Sequence, residues 1–234
     1  MWKACGTNSC SSRNELEKVF YETIQTKSCK WHHYLRIYHR HLGIFKNQTP
    51  HVLEIGVDEG GSLQMWRDYF GQGCKVYGID IKKPPRELGD DIVVFVGDQS
   101  EKEFLSSVTK ETGHLDVVID DGSHLPADQI SSFMLLFPAL KDGGVYICED
   151  THACYMQNYQ GNAKAAGTFI DYAKKLVDSM HHQYNGEIER TIFNGNIKCV
   201  CFYDSMVVIE KGTKDGSLSF WTTSGVSRKK IKFM

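Results

Sequence analysis

Residues 115–124 read LDVVIDDGSH and residues 143–152 read GGVYICEDTH, and these two stretches decide the fold. In each stretch an apolar run ends in an acidic pair, Asp120-Asp121 in the first and Glu149-Asp150 in the second. Such a run predicts a buried strand of a parallel sheet. Because the carboxyl ends of parallel strands meet at one edge of a sheet, we expect the four carboxylates to converge there.

Carboxylates brought together in this way repel one another unless a cation lies among them. The candidate ligands are mainly carboxylate oxygens, which are the ligands that hard cations prefer. The sequence therefore predicts a divalent site for Mg²⁺ rather than zinc, with Mn²⁺ as the nearest substitute.

Strands and helices alternate on both sides of these stretches from Pro50 onward, which predicts an α/β fold with a Rossmann-like, doubly wound sheet. Helices are expected near residues 62–70, 101–112, 126–140 and 163–180. The last two apolar runs, IKCVCFYD and MVVIEKG, are separated by so little chain that they predict a hairpin and hence one antiparallel strand.

The two ends of the chain differ from this alternating core. Residues 14–45 show helical spacing of apolar side chains, so a helical N-terminal extension is expected over residues 1–49. The core is expected over 50–211 and a C-terminal tail over 212–234. The basic run Arg228 to Lys232 in that tail is interpreted as a solvated terminus.

Composition limits the possible functions. The chain has 234 residues and a net charge of −2, which fits one sizeable domain and argues against a nucleic-acid partner. Its eight cysteines are scattered, and several lie in strand-like runs, which favours reduced thiols. We see no run long enough to span a membrane and no signal-peptide pattern, so a cytoplasmic location is expected. A homo-oligomer is possible.

A glycine-rich turn, EIGVDEGGS at residues 54–62, follows the first predicted strand. Its acidic residues Asp58 and Glu59 are unfavourable beside a pyrophosphate, whereas S-adenosylmethionine (SAM) carries no phosphate and has a sulfonium and an amino group. Asp80 ends the next strand at the distance from the turn at which an acid accepts hydrogen bonds from ribose hydroxyls. The candidate cofactor contacts are Glu54, Gly56, Ser62, Asp80, Asp98, Gln99 and Asp120. The alternative is that Asp80 and Asp98 are ordinary turn residues at strand ends.

Seven motifs of this chain resemble the class I methyltransferases, and within them the metal-dependent sugar O-methyltransferases of the macrolide type. The motifs are EIGVDEGGS, YGIDI, GDQS, IDDGSH, PADQISSF, LFPALKDGG and EDTH, all within residues 50–155, and the resemblance continues more loosely through FYDSMVVIEKG. The resemblance implies seven strands with one antiparallel, SAM as methyl donor, Mg²⁺ as cofactor and a sugar hydroxyl as acceptor, for example on a deoxysugar such as rhamnose in a glycoside or glycan.

The resemblance also assigns roles to individual residues. Asp121, Glu149 and Asp150 match the metal ligands of the family, and His124 matches its general base. Asp120 is expected on the cofactor side. A metal-bound hydroxyl beside an imidazole can lose its proton as the methyl group moves, so the chemistry agrees with this assignment. The other interpretation of His124 is a helix-start residue bonded to a loop carbonyl.

A further family-like segment precedes the core. Lys30, His33 and Tyr34 match residues that help to close the active site, although Cys29 stands where the family has an acidic residue. Together with His152, His33 and Tyr34 are candidate acceptor contacts, and packing of the aromatic rings is the competing interpretation.

Two alternative functions remain open at this point. A catechol or phenol O-methyltransferase shares the fold, SAM and Mg²⁺, but a flat apolar slot should hold its acceptor. A non-catalytic SAM-binding module would not need Asp121, His124, Glu149 and Asp150 together.

Overall fold

The computed structural model describes residues 13–188, 191–213, 218–222 and 228–232. Its centre is a seven-stranded sheet with the strand order β3-β2-β1-β4-β5-β7-β6. The strands are β1 (His51–Ile55), β2 (Lys75–Asp80), β3 (Ile92–Val96), β4 (Leu115–Asp120), β5 (Leu140–Cys148), β6 (Ile197–Tyr203) and β7 (Met206–Lys211). Strand β7 runs antiparallel to both of its neighbours, β5 and β6, and the other pairs are parallel. The predicted fold class is confirmed.

The six α-helices are α1 (Glu15–Glu22), α2 (His32–Leu42), α3 (Gly61–Phe70), α4 (Lys102–Thr112), α5 (Pro126–Leu136) and α6 (Phe169–His181). The prediction of one helical stretch over 14–45 was wrong between α1 and α2, where residues 23–31 form no helix. Helix α5 ends at Leu136 because Pro138 cannot continue it, and a short 3-10 turn follows. Helix α6 begins later than predicted, since Gly167 just before it has a φ of 72°.

The helices cover the two faces of the sheet in two groups. Buried side chains of α1, α2 and α3, such as Leu16, Leu35 and Trp66, pack with one apolar cluster. Side chains of α4, α5 and α6, such as Leu105, Phe133 and Phe169, pack with the cluster on the opposite face. The N-terminal helices therefore complete one face of the sheet, and this places the segment between them at the edge where the strands end.

Helix α1 begins with a capping box, in which the Asn14 side chain accepts from the Glu17 N–H and the Glu17 side chain accepts from the Asn14 N–H. In the tail, the backbones of β8 (Leu218–Thr222) and β9 (Arg228–Lys232) pair antiparallel with each other. The basic run thus lies in a strand, and its interpretation as a solvated terminus stays a prediction. Across the described residues, no helix is long and apolar enough to cross a membrane.

Candidate active site at the carboxyl edge of the sheet

The two acidic pairs lie side by side at the carboxyl edge of the sheet. In the register of the central strands, Ile55 pairs with Asp120, and Asp120 pairs with Cys148. The pairing continues one residue further, because the Asp121 N–H donates to Ile55 and the Glu149 N–H donates to Asp120. The residues directly after β4 and β5 therefore lie side by side at the same edge of the sheet, as the sequence predicted; they are Asp121, Glu149 and Asp150.

An outer cluster consists of Asp121, His124 and Asp150. One ligand atom of each lies within 4.8 Å of the others. His124 Nε2 is 3.6 Å from Asp150 Oδ2, and the side chains are 20% and 23% exposed. Both residues have left-handed backbones, with φ of 58° at His124 and 52° at Asp150. Non-glycine residues in this conformation are strained, and such strain concentrates at functional sites.

An inner cluster is centred on Lys30. Its ammonium lies 2.6 Å from Asp121, 2.8 Å from Glu149 and 3.1 Å from Glu54, and the lysine side chain is 2% exposed. Tyr38 donates a further hydrogen bond to Glu149. Burial disfavours the charged ammonium, but the carboxylates around it outweigh this effect and raise the pKa of Lys30 well above its usual value. Lys30 is therefore a permanent internal cation.

The predicted metal ligands are divided between these clusters. Glu149 is 1% exposed and lies in the inner cluster, Asp150 lies in the outer one, and Asp121 belongs to both. The outer cluster is the one open to solvent, and the Nδ1 atom of His124 is buried there without a hydrogen-bond partner. The carboxylate oxygens of Asp121 and Asp150 are donors that fit a divalent cation such as Mg²⁺ or Mn²⁺, and the imidazole of His124 lies beside them.

The candidate acceptor residues lie beside the outer cluster. The Tyr34 hydroxyl donates to Asp150 Oδ1 at 2.7 Å and contacts the Ser205 Oγ at the same distance. Ser205 also contacts the Nδ1 atom of His152, while His33 contacts the carbonyl of Asp204. The turn between β6 and β7 thus reaches the site. Sequence reasoning missed Ser205, for which the chain gives no signal beyond its position in a turn.

A cavity of about 260 Å³ lies at the ends of β1, β2, β3 and β4, and Gly56, Asp80, Asp98 and Gln99 are among its lining residues. Asp80 accepts from three backbone N–H groups, those of Val57, Asp58 and Lys82. The N–H of Ser100 donates to Asp98 and lowers the pKa of its carboxyl. The structure therefore brings these predicted cofactor contacts together around one space.

Two of the predicted cofactor-binding residues, Asp120 and Glu54, do not line this cavity. Asp120 is fully buried behind Gln99, where Tyr146 and Gln99 donate to it, and burial raises its pKa to about 7. Glu54 is also fully buried and accepts from Lys30 and Trp66. Because Ile55, not Glu54, pairs with Asp120, the two acids face opposite sides of the sheet, and helices cover both sides. Gln99 lines the cavity, but its amide is bonded to Asp120, Ser123 and Ser132.

A second cavity of about 180 Å³ lies across Gly56 from the first. Ser62, another predicted contact, lines it together with Lys27, Ser28 and Asp121. The hydroxyl of Ser28 is buried without a partner. Sequence reasoning missed Lys27 and Ser28, because they lie in the irregular segment between α1 and α2 and only the fold brings them to the strand ends.

Gly56 is the junction of the two cavities, and no other residue fits there. Its φ is +92°, and a Cβ atom would lie 2.1 Å from the backbone oxygen of Asp121. The turn after β1 can therefore approach Asp121 closely only with glycine at this position. A ligand extended across Gly56 would pass from the Asp80 side to the carboxylate clusters.

Comparison with known proteins agrees with this geometry, although no family model matches the chain. Mycinamicin VI 2''-O-methyltransferase from Micromonospora griseorubida is 33% identical over 232 residues, covering 91% of this chain and 57% of that protein. An O-methyltransferase of Streptomyces olivaceus that acts on a rhamnosyl-tetracenomycin is 36% identical to this chain. The match covers 82% of this chain and 52% of that protein. This chain thus spans about half the length of these curated relatives.

A solved structure gives the same result. The MycE methyltransferase of the mycinamycin pathway, in complex with Mg and S-adenosylhomocysteine (SAH), superposes with a TM-score of 0.75 at 33% identity, covering 86% of this chain and 54% of that one. At 15% identity, a caffeoyl-CoA O-methyltransferase-like protein of Staphylococcus aureus shares the fold with a TM-score of 0.52.

Proposed function

We propose that this chain, which has the class I methyltransferase fold and is a relative of the macrolide-type sugar O-methyltransferases, transfers a methyl group from SAM to a sugar hydroxyl of a glycoside. The observation that carries the proposal is the position of Asp121. It lines the second cavity and also belongs to the outer cluster with His124 and Asp150. A cofactor space and a candidate cation site therefore share one residue.

The cofactor would extend across Gly56. Its adenosine would occupy the cavity beside Asp80 and Asp98, and its methionine part the cavity beside Lys27 and Ser28. Lys27 can pair with a carboxylate, and the free hydroxyl of Ser28 can donate to it. SAM, when bound, supplies a methyl group on a positively charged sulfur.

Asp121 and Asp150, with the predicted third ligand Glu149, would hold the cation, which, when bound, supplies positive charge that favours loss of a proton from a sugar hydroxyl. His124 would take this proton at one of its ring nitrogens. Lys30 holds Asp121 and Glu149 from the buried side, so that Asp121 keeps its orientation toward the open side. Tyr34 does the same for Asp150.

The acceptor would lie over the outer cluster, within reach of Tyr34 and His152. The relatives supply the substrate class, because those named above methylate sugars of antibiotic glycosides. We propose a deoxysugar glycoside or a larger glycan as acceptor. We also propose action in the cytoplasm, which the free thiols support: each cysteine of the described residues is unpaired. Formation of a homo-oligomer stays a prediction, which light scattering of the purified protein would test.

The test is incubation of the whole protein with methyl-labelled SAM, Mg²⁺ and a panel of acceptors. The panel contains rhamnose and olivose glycosides, with catechol as the competing class. We expect labelled glycosides and no labelled catechol, and linkage analysis will identify the hydroxyl. Transfer to catechol without transfer to any glycoside would contradict the proposal.

A further inference from the structure

The indole of Trp31 is an exposed aromatic surface beside the candidate site. Trp31 precedes α2 directly and is 47% exposed. Its ring lies 6.1 Å from that of Tyr34, with 15° between their planes, and 5.3 Å from that of His152. Tyr34 donates to Asp150. The side chain of Tyr34 therefore lies between Trp31 and the outer cluster.

The position of this indole is fixed before any ligand arrives. The preceding residue, Lys30, is held by three carboxylates in the interior. The carbonyl of Trp31 accepts the first hydrogen bond of the helix, from the Tyr34 N–H. An exposed ring that is already ordered loses little conformational entropy when it binds a ligand, which distinguishes it from an exposed side chain on a mobile loop.

The indole lies among three other aromatic rings, those of His33, Tyr34 and His152. Tyr155 and Met156, which are 50% and 40% exposed, lie at the end of the 3-10 turn that contains His152. The deeper wall of the site is acidic. This combination suits a neutral ligand with one apolar face and several hydroxyls, and it suits an anion poorly. A pyranose ring, especially a deoxysugar, has such a face, and its weakly positive C–H groups are attracted to the negative face of an indole.

We propose that Trp31 is the platform on which the sugar ring of the acceptor stacks, beside the outer cluster of Asp121, His124 and Asp150. This inference rests on the proposed function, because it names the residue that selects the substrate of the same site. It makes Trp31 a specificity-determining residue that acts on acceptor binding rather than on the chemical step.

The experiment compares Trp31→Ala and Trp31→Phe with the wild type in the same holoprotein, with methyl α-L-rhamnopyranoside as probe. For Trp31→Ala we expect a KM for the rhamnoside about tenfold higher or more, with kcat within about threefold, because the stack acts equally on the ground state and the transition state. Trp31→Phe should recover most of the lost affinity. The affinities for SAH and Mn²⁺, measured by calorimetry, should not change and show that the variants are folded.

The matched control is Tyr184→Ala. Tyr184 is 64% exposed, lies in the 3-10 turn that follows α6, and lines neither of the two cavities at the site. Its replacement should leave KM unchanged. Saturation transfer in NMR gives a second readout without turnover: saturation of aromatic protons should reach the C–H protons of the rhamnoside in the wild type and be lost in Trp31→Ala.

The outcomes separate the two proposals. If the wild type methylates the rhamnoside and Trp31→Ala has an unchanged KM and unchanged saturation transfer, the platform is wrong and the proposed function stands. If Trp31→Ala loses kcat at constant KM, Trp31 acts in the chemical step and the platform is also wrong. A wild type that neither binds nor methylates any glycoside overturns both.

Discussion

Lys30 Nζ lies 2.6 Å from Oδ2 of Asp121, and the lysine side chain is almost completely buried. A residue from the segment before α2 thus compensates the negative charge of residues that follow β4 and β5. The site contains its own cation beside the space where an exchangeable one would bind.

Replacement of Lys30 by Met should destabilise the metal-free protein strongly. It leaves the buried carboxylates of Glu54 and Glu149, and the partly exposed one of Asp121, without their partner, and breaking a buried ion pair costs about 3–5 kcal/mol. Urea unfolding in chelator measures the loss, and added Mg²⁺ should restore more stability to the variant than to the wild type. Lys175→Met is the control, because Lys175 forms an exposed pair with Asp171 and its loss should cost under about 1 kcal/mol. Equal stability of Lys30→Met and wild type in chelator would contradict this role of Lys30.

Gly56→Ala should abolish SAH binding, because a Cβ atom would collide with the backbone of Asp121 and separate the two cavities. Calorimetry with SAH measures the loss. Gly113→Ala is the control: Gly113 also has a positive φ, of 66°, but a Cβ there would meet nothing within 4 Å. The control should lose about 1 kcal/mol of stability and keep its SAH affinity. Tight SAH binding by Gly56→Ala would show that the ligand does not cross this glycine.

Chelation should abolish methyl transfer while SAH binding is largely kept, because Asp121 is the one residue of the candidate cation site that also lines a cofactor cavity, the second one, and His124 and Asp150 line neither. Activity should return with Mg²⁺ or Mn²⁺. A double variant, Asp121→Asn with Asp150→Asn, should behave like the chelated wild type. Full transfer in excess chelator would mean that these acids serve only the structure.

His124→Ala distinguishes a general base from a metal ligand. A base acts only in the transition state, so turnover should fall by about 10²–10⁴-fold while SAH and Mn²⁺ affinities stay constant. Electron paramagnetic resonance of bound Mn²⁺ measures the second affinity. His181→Ala, at the exposed end of α6, is the control. A large fall in Mn²⁺ affinity would instead assign His124 to the ligand set.

The capping box of α1 predicts a pH dependence of stability. Burial disfavours the charged Glu17, but hydrogen bonds from the Asn14 N–H and the Arg36 side chain outweigh it and hold the pKa of Glu17 below its ordinary value. A carboxyl whose pKa is lower in the folded protein stabilises the fold at pH values above its unfolded pKa of about 4.3. This stabilisation is lost as the pH falls through the folded pKa. Glu17→Gln should therefore cost about 1 kcal/mol at pH 7 and less below pH 4. Urea titrations at both pH values measure the difference, with the exposed Glu22→Gln as control.

The strand ends of this site could be predicted from local sequence, because an apolar run followed by acids identifies both the strand and its exit. Asp80, Asp98, Asp121 and Asp150 lie at the carboxyl edge for that reason. The direction of a side chain at that edge could not be predicted equally well. Asp120 and Glu54 are acids in the right strands, but the pleat turns them inward, and only packing shows which neighbours they meet.

The inner cation and the turn at Ser205 could not be predicted, since both depend on contacts between distant parts of the chain. Lys30 is 91 positions from Asp121. No local pattern distinguishes a lysine that will be buried among carboxylates from one in water. Lys30 was identified only through the resemblance to the family, and the sequence did not indicate which residues it would contact.

The hairpin of β6 and β7 follows the other strands of the sheet in the sequence, so it is synthesised after them. Ser205 contacts Tyr34 across 171 positions, and β7 separates β6 from the rest of the sheet. During synthesis, the residues that hold the acids are made before the turn that contacts Tyr34 and His152. Contacts so distant in sequence form slowly, because a long loop must close first. A nascent chain released before β7 is complete would therefore contain all the predicted metal ligands but lack one wall of the site.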